Sequence, residues 1–202
     1  MPPTITLRLA NSTDIPALRA LIRASAHALS AGFYSPAERD AAIEYVFGVD
    51  TTLIADGTYF VVESSAVDAP PSDSSSRTEL CGCGGWSKRR SLFGGDQHKA
   101  ASDPLLDPRT DAARIRAFFV APAFARQGIG GRLMQACAHA AFTAGFRQLE
   151  LMATLPGVPL YTAYGFTAQE DVIEHAPNGV HIPFVRMHRT LLSPSLSQSP
   201  RP

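Results

Sequence analysis

The apolar positions change period along the chain. In Thr4–Leu9 they alternate, with Ile5, Leu7 and Leu9 apolar and Thr6 and Arg8 between them, the pattern of a half-buried strand. From Ile15 they recur at helical spacing through Leu18, Leu21 and Ile22. Asn11-Ser12-Thr13-Asp14 supplies capping side chains just ahead, which predicts a helix running to about Leu29. Ser35-Pro36 opens a second helix through Ala41, Ala42, Tyr45 and Val46, with Ser35 as cap and the proline at the first helical position. Residues 52–55 and 59–62 are apolar runs on either side of Asp56-Gly57, and they read as two strands of a hairpin. Strands are predicted over residues 79–87, 113–120 and 148–154. Between the last two, a helix from Gly128 to about Ala144 places Ile129, Leu133, Cys137 and Ala141 on one face and closes at Gly145. A short helix over 159–164 ends at Gly165, and strands over 172–175 and 182–189 finish the ordered pattern.

Two stretches interrupt it. Residues 66–77 (AVDAPPSDSSSR) are rich in serine and proline and carry too little apolar surface to order themselves, so they read as a hairpin insertion. Residues 91–110 hold Gly94-Gly95, Pro104 and Pro108, and an irregular stretch of that length in a compact domain is commonly functional or mobile. The segment 193–202 (SPSLSQSPRP) reads as a disordered tail. What remains, residues 1–192, is read as one α+β domain with strand-helix-strand units in its second half and no internal repeat.

Lysine plus arginine and aspartate plus glutamate number 18 each, so there is no basic excess of the kind nucleic-acid binders carry. The densest basic cluster, Lys88-Arg89-Arg90, reads as a solvated strand end. Cys81 and Cys83, two apart in an apolar run, would share one face of a strand. With Cys137 they are too few and too poorly spaced for a metal site or a disulfide framework, and they read as small core residues in a reducing compartment. The chain begins without a basic stretch followed by an apolar one, and no apolar run approaches the ~20 residues that span a bilayer. A cytoplasmic protein without metal, nucleic acid or membrane is expected.

The segment from Phe118 to Met134 carries the chemistry. A strand ends at Val120, a loop containing Pro122 turns, and Gly128, Gly130 and Gly131 open an amphipathic helix. Unsatisfied N–H groups and the positive end of the dipole make such a helix start an anion site, and glycine lets a bulky diphosphate approach the backbone. The nucleotide-hydrolase loop needs a Gly-Lys-Ser/Thr ending that is missing here, and Leu133 stands where the dinucleotide fingerprint needs its third glycine.

With its surroundings, the segment resembles the acetyl-CoA-binding motif of the GCN5-related N-acetyltransferase superfamily. Val120, Pro122, Gly128 and Gly130 match, while Ala125 departs from the arginine or glutamine that opens the pattern. Leu160-Tyr161-Thr162-Ala163-Tyr164-Gly165-Phe166 resembles the family's short helix, whose pattern is a tyrosine, three residues and then Gly-Phe. The resemblance runs from Ile5 to about Thr190. It implies a mixed, mostly antiparallel central sheet with a splayed strand pair and helices on both faces. It further implies acetyl-CoA as co-substrate, the backbone of Phe118, Phe119 and Val120 along the pantetheine arm, and the stretch Arg126, Gln127, Gly128, Ile129, Gly130, Gly131 and Arg132 around the pyrophosphate. Tyr161 matches the general acid that protonates the leaving thiolate; Tyr164, one turn on, reads as packing. Thr154 replaces the family's frequent asparagine.

The base is open among Glu79, Glu150 and His181, with Glu150 favoured by its place in the strand after the motif helix. Substrate contacts are expected from Tyr34 and its neighbours Phe33 and Ser35, from Trp86-Ser87-Lys88-Arg89-Arg90 and the long loop after them, and from His181 with His175 and Asn178. The leading reading is transfer of an acetyl group to a primary amine of a small molecule or peptide, by a monomer or homodimer. The alternatives are an acyltransferase using a longer acyl-CoA and a non-catalytic acyl-CoA sensor.

Overall fold

The computed structural model describes residues 4–65, 78–98 and 102–191. The expected insertion at 66–77 and the tail from 193 lie outside the described residues. Seven strands, β1 (Thr4–Leu9), β2 (Tyr59–Ser65), β3 (Thr78–Ser87), β4 (Ala113–Val120), β5 (Gln148–Thr154), β6 (Thr167–His175) and β7 (His181–Thr190), form one open sheet ordered β1-β2-β3-β4-β5-β7-β6. Neighbours run antiparallel except β4 and β5, which are parallel. The helices are α1 (Ile15–Leu29), α2 (Pro36–Ala41), α3 (Thr51–Ala55), α4 (Ile129–Thr143) and α5 (Val158–Ala163). Among the described residues, no helix is long and apolar enough to cross a membrane.

The layers follow from one pair of adjacent residues. Val61 and Val62 of β2 point to opposite faces, as neighbours in a strand must. Val61 packs with Leu18, Leu21 and Ile22 of α1, and Val62 with Ile129 and Leu133 of α4. The two long helices therefore cover opposite faces. Leu18 is fully buried, and each such leucine contributes about 1.5–3 kcal/mol.

Both early helices begin where capping was expected. Asn11 and Asp14 form a reciprocal capping box on the 3-10 turn Ser12–Asp14 that leads into α1, Ser35 and Glu38 form one on α2, and Pro36 takes the first position of α2. The continuation of α2 through Tyr45 and Val46 is a π-helical turn, Ala42–Val46.

Three expectations are corrected. Residues 52–55 are not a strand but most of α3, because the buried Asp50 accepts from the Thr52 and Leu53 amides and caps a helix. Gly57, at φ 66°, then ends α3 rather than joining two strands. Cys81 and Cys83 do not share a face. Val62 pairs with Gly82 and Glu63 with Leu80, so Cys81 is the extra residue of a β-bulge. It packs toward α4, whereas Cys83 packs toward α1. Finally, β6 begins at Thr167, five residues ahead of the predicted start, because its first half is a solvent-facing edge without apolar alternation.

Candidate active site

The site forms where β4 leaves β5. The parallel pairing runs only from Ala113 to Ile115 against Leu149 to Leu151, after which the strands separate. A second bulge drives this. Cys83 pairs with Phe119 but Gly85 with Arg116, so Ala117 and Phe118 together oppose Gly84. Ala117 takes φ 54°, a region L-residues avoid, and the bend re-aims the rest of β4. Glycine at 84 is required here, since a Cβ would come within 2.7 Å of the Phe118 ring.

The opening is a cleft of about 640 Å³. One end is bounded by Phe118, Phe119 and Val120, by Arg126 and the residues from Gly128 to Gly131, and by Thr154, Leu160, Tyr161 and Tyr164. The other is bounded by α1 (Ser25, Leu29), the π-turn and the residues just after it (Val46, Phe47, Gly48), Phe93 to Gly95, Met152 and Phe184. Part of the 91–110 stretch is therefore an ordered wall. It is stitched down by Gly95 N–H to the Val46 carbonyl at 2.8 Å and by Asp96 N–H to the Val49 carbonyl at 3.0 Å.

The α4 start has the geometry of an anion cradle. Its first intrahelical bond runs from Arg132 N–H to the Gly128 carbonyl at 3.1 Å, so the amides ahead of it have no partner within the helix. Arg126 and Gly128 both hold positive φ, 63° and 80°, and Gly128 has open space where a side chain would stand. The other two glycines serve packing. A Cβ on Gly130 would lie 3.0 Å from Leu160, and one on Gly131 only 2.2 Å from the Tyr164 hydroxyl. They let α5 lie against α4. Gln127 and Arg132 are exposed and do not line the cleft.

Tyr161 borders the cleft with its ring at the edge of Phe118 and Phe166, centroids 6.2 and 5.9 Å away. Burial, and to a lesser degree Cys137, push its phenol well above the ordinary range, so it is protonated at neutral pH. Tyr164 borders the same cleft while packing over Gly131. Val120 N–H donates to the buried Ser25 hydroxyl of α1 at 3.2 Å, so one of the three backbone positions expected along the pantetheine arm already has a partner.

Several expected residues are placed elsewhere. Glu150 is buried in an ion-pair row across the sheet, between Arg114 of β4 and Arg186 of β7, and does not reach the cleft. Tyr34 is a latch: its hydroxyl donates to the Pro183 carbonyl at 2.7 Å and accepts from Leu155 N–H at 3.0 Å, and burial pushes it up to about 12. Trp86 is a core residue, its ring edge-on to Phe146 at 6.0 Å. His181 is exposed on the β6–β7 hairpin against His175, and Glu79 is exposed at the start of β3. Of the expected substrate-side residues, Phe33 reaches the cleft mouth, 52% exposed, and Phe93 to Gly95, in the loop after Trp86, line its wall.

Ser25 and Arg116 were not anticipated. Arg116 lines the cleft yet is 4% exposed. Its guanidinium lies 2.9 Å from Asp50 and donates to the Ser91 and Gly94 carbonyls at 3.1 and 2.7 Å. An arginine within the run ARIRAFFV is its sequence signal; Ser25, one small polar residue on a helix, gave none. Among the described residues, no cluster of three or more histidine, cysteine, aspartate or glutamate side chains could hold a metal.

Residues 107–191 match the model of the acetyltransferase (GNAT) domain. Similar solved structures include a GCN5-related N-acetyltransferase from Rhodopseudomonas palustris, 18% identical, covering 95% of this chain and 98% of that one with a TM-score of 0.62. A PaiA N-acetyltransferase from Thermoplasma acidophilum, solved with coenzyme A, is 14% identical over 93% and 99% with a TM-score of 0.56. N-acetylglutamate synthase from Neisseria gonorrhoeae, solved with coenzyme A and N-acetylglutamate, is 17% identical, with 94% of this chain and 36% of that one covered and a TM-score of 0.55. No curated protein sequence matches the chain. Residues 107–191 thus resemble the acetyltransferase (GNAT) domain, and the chain has the fold of GCN5-related N-acetyltransferases.

Proposed function

We propose that the chain transfers an acetyl group from acetyl-CoA to a primary amine, with both reactants held together in the cleft. The observation that carries this reading is the continuity of the cleft, which runs from the open Gly128 backbone, past the β4 bulge, to Tyr161. Acetyl-CoA supplies the activated acyl group. The amides at the α4 start hold its pyrophosphate, with Arg126 adding a cation, and Gly128 keeps that approach clear. The Phe118 side of β4, freed from β5, aligns the pantetheine arm, and the apolar walls exclude water from the thioester. Tyr161 delivers its proton to the departing sulfur and is reprotonated from solvent.

No carboxylate of the expected base set reaches the cleft, so the proton of the attacking amine leaves through water rather than to Glu150. Tyr161→Phe tests the acid. It removes one hydroxyl and keeps the ring, so kcat falls by roughly 10²- to 10⁴-fold while KM for acetyl-CoA moves little. Full activity in this variant would remove Tyr161 from the mechanism.

A further inference from the structure

Resting on that reading, we infer that the acceptor is a monoamine whose body is apolar and of aromatic size. The far end of the cleft is walled by Phe47, Phe93 and Phe184, in ring contact through Phe184, and Phe119 joins this wall to β4. Phe47 lies 5.6 Å from Phe119 and 6.2 Å from Phe184, and Phe93 lies 5.7 Å from Phe184. Leu29, Val46 and Met152 complete that wall, and Phe33 stands half exposed at its mouth. Among the described residues that line the cleft there is no aspartate or glutamate.

Among the described residues Arg116 is the one charged side chain lining this end, and its charge is matched from behind. Asp50 lies at 2.9 Å and Asp103 at 3.9 Å, and the Ser91 and Gly94 carbonyls accept from its terminal nitrogens, while its Nε has no hydrogen-bond partner among the described residues. It offers no free cation to an acceptor carboxylate. A second ammonium or a carboxylate on the acceptor would therefore lose its hydration against this wall without a partner, whereas an apolar ring would gain by burial. The low polarity also favours the neutral amine, the form that attacks. In the step, the amine nitrogen bonds to the acyl carbon and the carbon–sulfur bond breaks. One proton leaves the nitrogen for water, and one passes from Tyr161 to the sulfur.

The test is steady-state CoA release by the full chain with acetyl-CoA and four amines: 2-phenylethylamine, ethylamine, 1,4-diaminobutane and 4-aminobutyrate. Burial of the ring should raise kcat/KM for 2-phenylethylamine roughly 10- to 100-fold over ethylamine. The diamine and the amino acid should fall below ethylamine. Phe33→Asp, at an exposed position the fold tolerates, should shift the ratio several-fold toward the diamine.

Preference for the diamine or the amino acid would overturn the inference and leave the transfer reading standing, as would an unchanged ratio in Phe33→Asp. So would a rise of kcat/KM by roughly fourfold per methylene as the acyl chain lengthens from acetyl to hexanoyl, because the wall would then hold the acyl group. Acetyl-CoA binding by calorimetry without turnover of any of the four amines would also overturn it. Absence of acetyl-CoA binding would remove the transfer reading and this inference together.

Discussion

Replacing Arg116 by methionine should unfold the protein at markedly lower urea and loosen the wall of the cleft. Arg116 is 4% exposed and Asp50 is fully buried, their closest atoms 2.9 Å apart. Removing one partner of a buried pair costs about 3–5 kcal/mol, because the other charge stays behind without its counter-ion. Asp50 keeps the Thr52 and Leu53 amides at 3.1 and 3.3 Å, which offset part of that loss. The expected cost is therefore about 3 kcal/mol, the lower end of the range. Removing both charges tests the reasoning, because asparagine at 50 still caps α3. The pair Asp50→Asn/Arg116→Met should be at least about 1 kcal/mol more stable than the sum of the single losses implies. The assay is equilibrium urea unfolding followed by circular dichroism and by Trp86, the one tryptophan, which is buried. A single-variant cost under about 1 kcal/mol, or strictly additive costs, would refute the argument that this pair is a coupled element beneath the site. Because Arg116 also ties down the Ser91 and Gly94 carbonyls, KM for the acceptor should rise more than KM for acetyl-CoA.

Gly131→Ala improves helix propensity but places a methyl 2.2 Å from the Tyr164 hydroxyl, so a net loss of about 1–2 kcal/mol is expected. Thermal unfolding should show Tyr164→Phe restoring at least part of it; a stabilised single variant would show that the tyrosine moves freely. The Arg8 side-chain hydrogen bond holds Asp14 below the ordinary carboxylate range. Its folded value is thus lower than its unfolded one, and its contribution is complete above about pH 4 and fades as pH falls through the folded value. Asp14→Asn should flatten that part of the acid limb in urea midpoints measured from pH 2 to 6, and an unchanged limb would count against the pairing.

Much of the frame was readable because caps and periods act locally. Ser35-Pro36 and Glu38 define the start of α2 within four residues, and Tyr161 with Gly165-Phe166 marks α5. The misreadings share a cause, which is that a tertiary partner decides. TLIA at 52–55 is as apolar as a strand, and only the buried Asp50 cap makes it helical. Cys81 changes face because of a bulge set by pairing with β2. Glu150 looked available in isolation, but β4 and β7 bring Arg114 and Arg186 to either side of it. Gly130 and Gly131 line the cleft, but the space a Cβ would take at each is filled by Leu160 or Tyr164, which the sequence spacing could not show. Tyr34 and Trp86 are aromatic in places where substrate contacts were expected, yet one closes a buried hydrogen-bond pair and the other a core ring contact.

The central claim is that acetyl-CoA lies with its pyrophosphate against the Gly128 backbone. A side chain at 128 meets nothing within 4 Å, and aspartate tolerates the left-handed φ of 80° at a cost of about 1–2 kcal/mol, so Gly128→Asp should fold, with a negative charge projecting into the anion site. Calorimetric titration of acetyl-CoA into both proteins, each checked for an unchanged circular dichroism spectrum, is the direct test. The account predicts binding of one acetyl-CoA per chain by the wild type and none by Gly128→Asp; equal binding by both would contradict it.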